Sequence, residues 1–455
     1  MSMKRVSFAL AGSAALGLVL LIAPSVPHVA ARTISHVTSG VTAKSATSSG
    51  DTTWVLMSAA LVMLMTPALG FFYGGLVRHK NVLTTIMHSF FMLCLISMQW
   101  VLWGYSLAFG PDHWHIIGGL DWAVLRDVST SQPDPFGYAP TVPHQAFMIF
   151  QMMFAVITPA LITGAFAERK RFKAYLLFSL LWATFVYDPL AHWVWGHGGW
   201  LHNMRVLDFA GGSVVEMSSG VSALVAAKML GPRIGLGTEK MGPHDATYVL
   251  LGASLLWFGW FGFNAGSAVA AGGSATSAFV MTNSAGAMAC LTYLTIGWWH
   301  RGQPSALGGA FGAICGMVAI TPACGYVDVS GAILIGLGAG VICYLSTQLK
   351  TVLRADDALD VFACHGMGGT WGTIATGIFA TTAVTGIAGG SGAIDGHVQQ
   401  IAIQLGEVGA TWVFCAVGTF AVLKVVDLVV GLRVDEDEEV LGLDVTQHGE
   451  SAYGL

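Results

Sequence analysis

The sequence predicts an all-α integral membrane protein whose eleven transmembrane helices form two inverted five-helix repeats plus one, and three observations carry that reading. Of its 455 residues, 54% are hydrophobic and only 10% charged, whereas soluble domains carry about 25% charged residues. Apolar runs of the ~20 residues needed to cross a bilayer recur along the chain. The basic residues between those runs gather on alternate sides. Mean hydropathy is +0.67, and the 58 glycines are scattered through the apolar runs, as expected where helices must approach closely in lipid.

Lys4 and Arg5, an apolar run from Val6 to about Ile22, and the small residues Ala30 and Ala31 have the layout of a secretory signal peptide over 1–31. A retained extra helix is the alternative reading. The Ser/Thr-rich stretch that follows, 32–50, reads as a flexible extracytoplasmic leader. The membrane domain then occupies 51–431, with spans beginning near Trp54, Ile86, His144, Ala174, Phe209, Ala246, Ala278, Ser305, Val329, Val361 and Gln399. Residues 432–455 form a polar tail.

Orientation follows from the short loops. Arg78, Lys80, Arg169 to Arg171, Lys173, Lys228, Arg233, Lys240, Arg301, Lys350, Arg354, Lys424 and Arg433 all fall on one side, fourteen basic residues against four on the other (Arg32, Lys44, Arg126 and Arg205). This predicts an extracytoplasmic N-terminus after signal cleavage and a cytoplasmic C-terminus, in a multi-pass protein of the cell (inner or plasma) membrane. An odd count also permits the inverted repeat. Asp208-Phe209 opens the fifth span and Asp360-Val361-Phe362 the tenth, and each is followed within a few residues by a polar group, Glu216 or His365. By that symmetry Glu216 and His365 meet near the midplane.

Polar groups inside spans are costly and mark cavities or partners. Those present are Glu216, His365, Asn264, Ser267, Asp208 and His192. His365 alone reads equally as a buried histidine bonded to a carbonyl. An unpaired Glu216 carboxylate would lose its charge or seek a donor, and a Glu/His couple answers both demands. Most of the 15 tryptophans belong to interfacial belts or packing. Trp195 differs in context, preceding Gly196 and Gly198-Gly199 at an outer mouth, where an exposed ring attracts a small cation by about 0.5 to 2 kcal/mol. Phe150 and Phe154 share one helical face of the third span.

Other chemistries are excluded. Six of the seven cysteines lie in apolar runs, with Cys324 at the end of one, as small buried packing residues without metal spacing. There is no basic patch interleaved with aromatics for nucleic acid. No nucleophile and base set, metal cluster or phosphate loop points to an enzyme, and no cofactor is implied.

Several strings resemble one family closely. DFAGGSVVEMSSGVSALVAA from Asp208 looks like the signature of the Amt/Mep/Rh ammonium transporters, and in family order it is joined by FFYGGLVRHKN from Phe71, FQMMFAVITPALITGAFAER from Phe150, AHWVWG from Ala191, GWFGFNAGSA from Gly259, TPACGYV from Thr321 and DVFACHGMGG from Asp360. The tail from Gly431 is similar to that of the bacterial Amt branch. The resemblance runs from about Trp54 to the C-terminus.

It implies the ammonium transporter fold, a homotrimer in the lipid bilayer, and one narrow apolar pore per subunit. An outer vestibule that recruits ammonium would match Trp195, Phe154 and Ser267, with Asp208 supporting it through backbone amides. Phe154 and Phe263 would form a stacked gate with Phe150 behind, and Trp260 and Asn264 would flank the pore. The family usually carries two pore histidines. His365 matches one, while Glu216 stands at the other, as in some fungal members, so the resemblance leaves the transported species open between ammonia, ammonium, and ammonia with a relayed proton. The tail implies a regulatory role and a PII-type signal protein as cytoplasmic partner. A flux-free ammonium sensor and an Rh-like neutral channel for ammonia or carbon dioxide are the competing functions.

Overall fold

Lipid offers no partner for backbone polar groups, so a spanning segment must satisfy its own, and the chain does so almost entirely with helices. The computed structural model describes residues 47–386 and 390–454. The signal peptide and most of the leader lie outside the described residues. In order, the helices are α1 (Ser49–Leu76), α2 (His79–Phe109), α3 (His144–Phe166), α4 (Phe172–Val194), α5 (Gly212–Leu230), α6 (Ala246–Gly266), α7 (Gly273–Arg301), α8 (Ala306–Ile320), α9 (Val329–Val352), α10 (362–379) and α11 (Gln399–Val430). Among the described residues a single two-stranded hairpin interrupts them, β1 (Asp112–His113) against β2 (Ile117–Gly118).

Nine of these helices are long and apolar enough to cross a membrane, against eleven spans expected. The two that fall short stand where the eighth and tenth spans were placed. Helix α8 has 15 residues, about 22 Å at 1.5 Å per residue against a hydrocarbon core of ~30 Å. Helix α10 opens with five residues of π-helix before its 13 regular ones.

Helix starts follow side-chain caps. Ser48 accepts from the Asp51 amide at the head of α1, Asp245 from Thr247 and Tyr248 at α6, and Asp328 from Gly331 at α9. The first helix thus takes in Ser49 and Gly50, two residues assigned to the leader from sequence. The fifth begins at Gly212 rather than Phe209, because the Asp208 side chain occupies the preceding turn. Among the cysteines, Cys94 is exposed and Cys290 half-buried, which corrects the expectation that all are buried; the other five are.

The tail is anchored rather than freely solvated. Arg171 N–H donates to the Leu432 carbonyl (3.0 Å) and Val434 N–H to that of Arg169 (3.1 Å). The acidic run divides: Asp435, Glu436 and Asp437 are exposed, while Glu439 is buried, ion-paired with Arg433 at 2.8 Å and accepting from the Ile234 amide. Farther on, the Asp444 carboxylate accepts from the amides of Leu83 and Thr84, satisfying donors at the head of a long helix. Nearby, Arg233 grips Asp356 through three bonds of 2.8 to 2.9 Å.

Candidate functional site

Two short π-helices carry the acid and the imidazole singled out above. Gly212–Met217 opens α5 and holds Glu216; Phe362–Gly366 opens α10 and holds His365. Such turns recur at functional sites, where they re-aim a side chain. A carboxylate seats each one. Asp208 accepts from the amides of Gly211, Gly212 and Ser213 and from the Ser213 hydroxyl, at 2.6 to 2.9 Å. Asp357 accepts from the Phe362 amide at 2.7 Å.

That second carboxylate is not the one matched from sequence. Asp360 turns away to pair with Lys350 at 2.8 Å, and Asp357 does the capping. The signal was the spacing: Glu216 lies eight residues after Asp208, and His365 eight after Asp357. Burial and the neighbouring Asp360 charge push the Asp357 carboxyl up to about 6.

Where α5 crosses α10, a Cβ on Gly220 would lie 2.0 Å from the Gly366 nitrogen. The helices therefore touch backbone to backbone. Glu216 sits one turn from Gly220 and His365 adjoins Gly366, so their side chains meet: His365 Nδ1 is 2.6 Å from Glu216 Oε2, with both groups at most 5% exposed. This pair lines a narrow cavity of about 10 Å³ together with Ile157, Val215, Trp260, Phe263 and Ile314. The volume matches about one water-sized occupant. Apart from the pair, the walls are apolar and aromatic.

Trp195, Asp208 and Ser267 line a second, open cavity of about 320 Å³. The Trp195 indole donates to the Asp208 carbonyl at 3.0 Å, which fixes the ring. Ser267 spends its one hydroxyl proton on the Phe263 carbonyl at 2.8 Å, so only acceptor lone pairs remain. Phe154 does not line this cavity. It lies beneath Trp195, ring centroids 6.1 Å apart and nearly perpendicular, and against Phe263 at 4.3 Å. The Phe154 and Phe263 rings, both 1% exposed, thus stand between the two cavities.

Of the remaining candidates, Phe150 packs edge-on to Phe154 at 5.0 Å and lies close to Gly266, behind the ring pair. Trp260 lines the narrow cavity and donates to Thr321. Asn264 does not line it: its amide is held by Thr282 and Thr321 at 2.9 and 3.2 Å. Both ring nitrogens of His192 are taken by the Ala108 carbonyl and Asp112, at 2.9 Å each. Sequence reasoning missed Gln151, which lines the outer cavity with a buried, unpartnered Oε1. A polar residue on the helical face of Phe147 and Phe154 was the available signal.

The arrangement can hold a small hydrogen-bond-donating cation at an aromatic and acceptor-lined mouth, and offers one titratable couple in an apolar passage. Among the described residues no group of three His, Cys, Asp or Glu side chains is arranged to hold a metal. The model of the Ammonium Transporter Family matches residues 53–453. The chain is 52% identical over 405 residues to an ammonium transporter of Bacillus subtilis (strain 168), covering 89% of this chain and 98% of that protein. The crystal structure of Saccharomyces cerevisiae Mep2 superposes with a TM-score of 0.83 at 36% identity, over 90% of this chain and 92% of that one. A structure described as a sensor Amt protein superposes with a TM-score of 0.80 at 28% identity, over 88% and 98%. The two cavities and the aromatic pair between them are thus features of a multi-pass membrane protein that belongs to the ammonium transporter family.

Proposed function

We propose that this chain transports ammonium across the cell membrane, recruiting the cation in the outer cavity, deprotonating it, and passing ammonia along the narrow passage with the proton relayed through the Glu216–His365 pair. One observation carries the proposal. A lone carboxyl and imidazole meet at 2.6 Å inside an otherwise apolar cavity, behind two aromatic rings and an acceptor-lined mouth. Ammonium donates hydrogen bonds and gives up a proton; potassium, of similar size, does neither. The Trp195 face and the Ser267 lone pairs suit the cation, and the unpartnered Gln151 oxygen adds a further acceptor. Asp208 supports the mouth through the amides it holds.

The pair accommodates either carboxylate with imidazolium or carboxylic acid with neutral imidazole. Its titration belongs to the couple, not to either residue. The transporter works as a homotrimer with eleven spans, the 5+5 inverted repeat plus one, and a cytoplasmic tail. Support for the repeat comes from the two π turns with their matched eight-residue spacing. The exposed acids of the tail, Asp435 to Asp437, offer a docking edge to a PII-type signal protein.

The membrane portion alone does not separate this reading from a sensor, since the chain also superposes on a sensor Amt protein. Uptake separates them. Purified protein in vesicles should accumulate methylammonium, and an ammonium pulse on a solid-supported membrane should give a current. Tight ammonium binding without uptake would establish the sensor instead, and uptake without current a neutral channel.

A further inference from the structure

Glu407 lies on α11, which packs against the π turn of α5, and its side chain is fully buried. Its two oxygens meet different partners. Oε2 accepts from Gln404 Nε2 at 3.0 Å. The Gln404 amide has no freedom to flip, because its oxygen accepts from the Leu207 amide at 2.8 Å while its nitrogen also donates to the carbonyls of Leu207 and Thr373. Oε1 lies 2.6 Å from Ser213 Oγ, which lies 2.6 Å from Asp208 Oδ2.

A serine hydroxyl carries one proton and so donates to only one of two carboxyls. At the other contact the proton must come from the carboxyl itself. Asp208 already accepts three backbone N–H groups across its two oxygens, which leaves it in the acceptor role. We infer that Glu407 is a standing carboxylic acid, its proton on Oε1 donated to Ser213, whose own proton goes to Asp208, and that this makes Glu407 a positioning residue for the outer mouth.

The chain of contacts reaches the substrate side in one further step, since the Asp208 carbonyl holds the Trp195 indole. Other titratable groups near this cluster are Tyr326, close to both acids, Cys324, close to Asp208, and Glu216. The inference rests on the vestibule reading above for its functional part only; the location of the proton does not depend on it.

Infrared spectra of the full chain in lipid vesicles test the proton, and transport tests the positioning. Native protein should show a protonated-carboxyl stretch, present from about pH 5 to pH 8, that Glu407→Gln removes. A spectrum unchanged by that substitution would mean an ionised Glu407 and overturn the inference. In transport, Glu407→Gln reproduces donor and acceptor and should keep half-saturation within about twofold, whereas Glu407→Leu should raise it about tenfold with a smaller change in maximal rate. Equal impairment in both variants, or native behaviour in Glu407→Leu, would overturn the positioning role. Native protein that fails to transport at all would sink the transport reading, and the infrared band would still decide where the proton lies.

Discussion

Asp208 and Glu216 stand eight residues apart at the head of one helix, both buried, and the fold surrounds them differently. Asp208 accepts three amides and a hydroxyl. Glu216 has one side-chain partner among the described residues, His365. A carboxylate wrapped in donors is fixed in place and serves as architecture. One with a single titratable partner keeps a choice of proton position, and that choice is what a relay requires. In the proposed mechanism this contrast separates scaffold from relay within eight residues.

The largest effect should come from breaking the architectural member. Asp208→Ala leaves three buried amides without acceptors, at about 1–3 kcal/mol each. Little folded protein should reach the membrane, as read by size-exclusion yield and melting temperature; a well-folded variant would show that the donors had other partners. His365→Ala should fold but lower the maximal transport rate about ten- to hundredfold, the worth of a hydrogen bond to a charged group, measured as ammonium-evoked current.

Smaller changes sharpen the contrast at the mouth. Trp195→Leu, which removes the ring face, should raise half-saturation about tenfold. Ser267→Ala removes one acceptor and should raise it about fivefold with maximal rate retained. Titrating uptake against concentration checks both. The smallest effect on transport concerns Asp356, a buried carboxylate in the segment between α9 and α10. Burial works to raise its carboxyl, but the Arg233 bonds and the Arg169 charge outweigh it and hold it below the usual range. A depressed carboxyl contributes stability above about pH 4 and loses it as pH falls further. The fall of melting temperature with pH should therefore be shallower in Asp356→Asn than in the native chain, from a starting value lowered at neutral pH because the buried guanidinium groups lose their partner.

Much of this was legible in the chain. Composition and apolar runs located the helices, and the starts at His144, Ala246, Val329 and Gln399 coincide with observed ones. Glu216 and His365 stood out because an acid and an imidazole in apolar sequence need each other. What stayed hidden depends on three-dimensional contact. Apart from its spacing to His365, Asp357 carries no mark in the sequence that separates it from the neighbouring acids Asp356 and Asp360, because its role is set by the contact with the Phe362 amide. Asn264 is polar in a span, yet two threonines from other helices absorb it. Gln151 reads as a packing residue until its oxygen is found without a partner at the cavity wall. The acidic tail, which composition alone assigns to solvent, is tied down because Glu439 finds a donor on a distant loop and Asp444 finds donors near the head of α2.

The central claim is that proton handling belongs to the couple at mid-depth and not to the carboxylate at the mouth. Ammonium-evoked current on a solid-supported membrane, recorded against pH for the native chain and for Glu216→His, tests it most directly. The account predicts that both conduct and that the midpoint of the pH profile moves by about one unit, as expected when one member of a coupled pair is replaced. Two superimposable profiles would contradict it and move the proton step elsewhere in the chain.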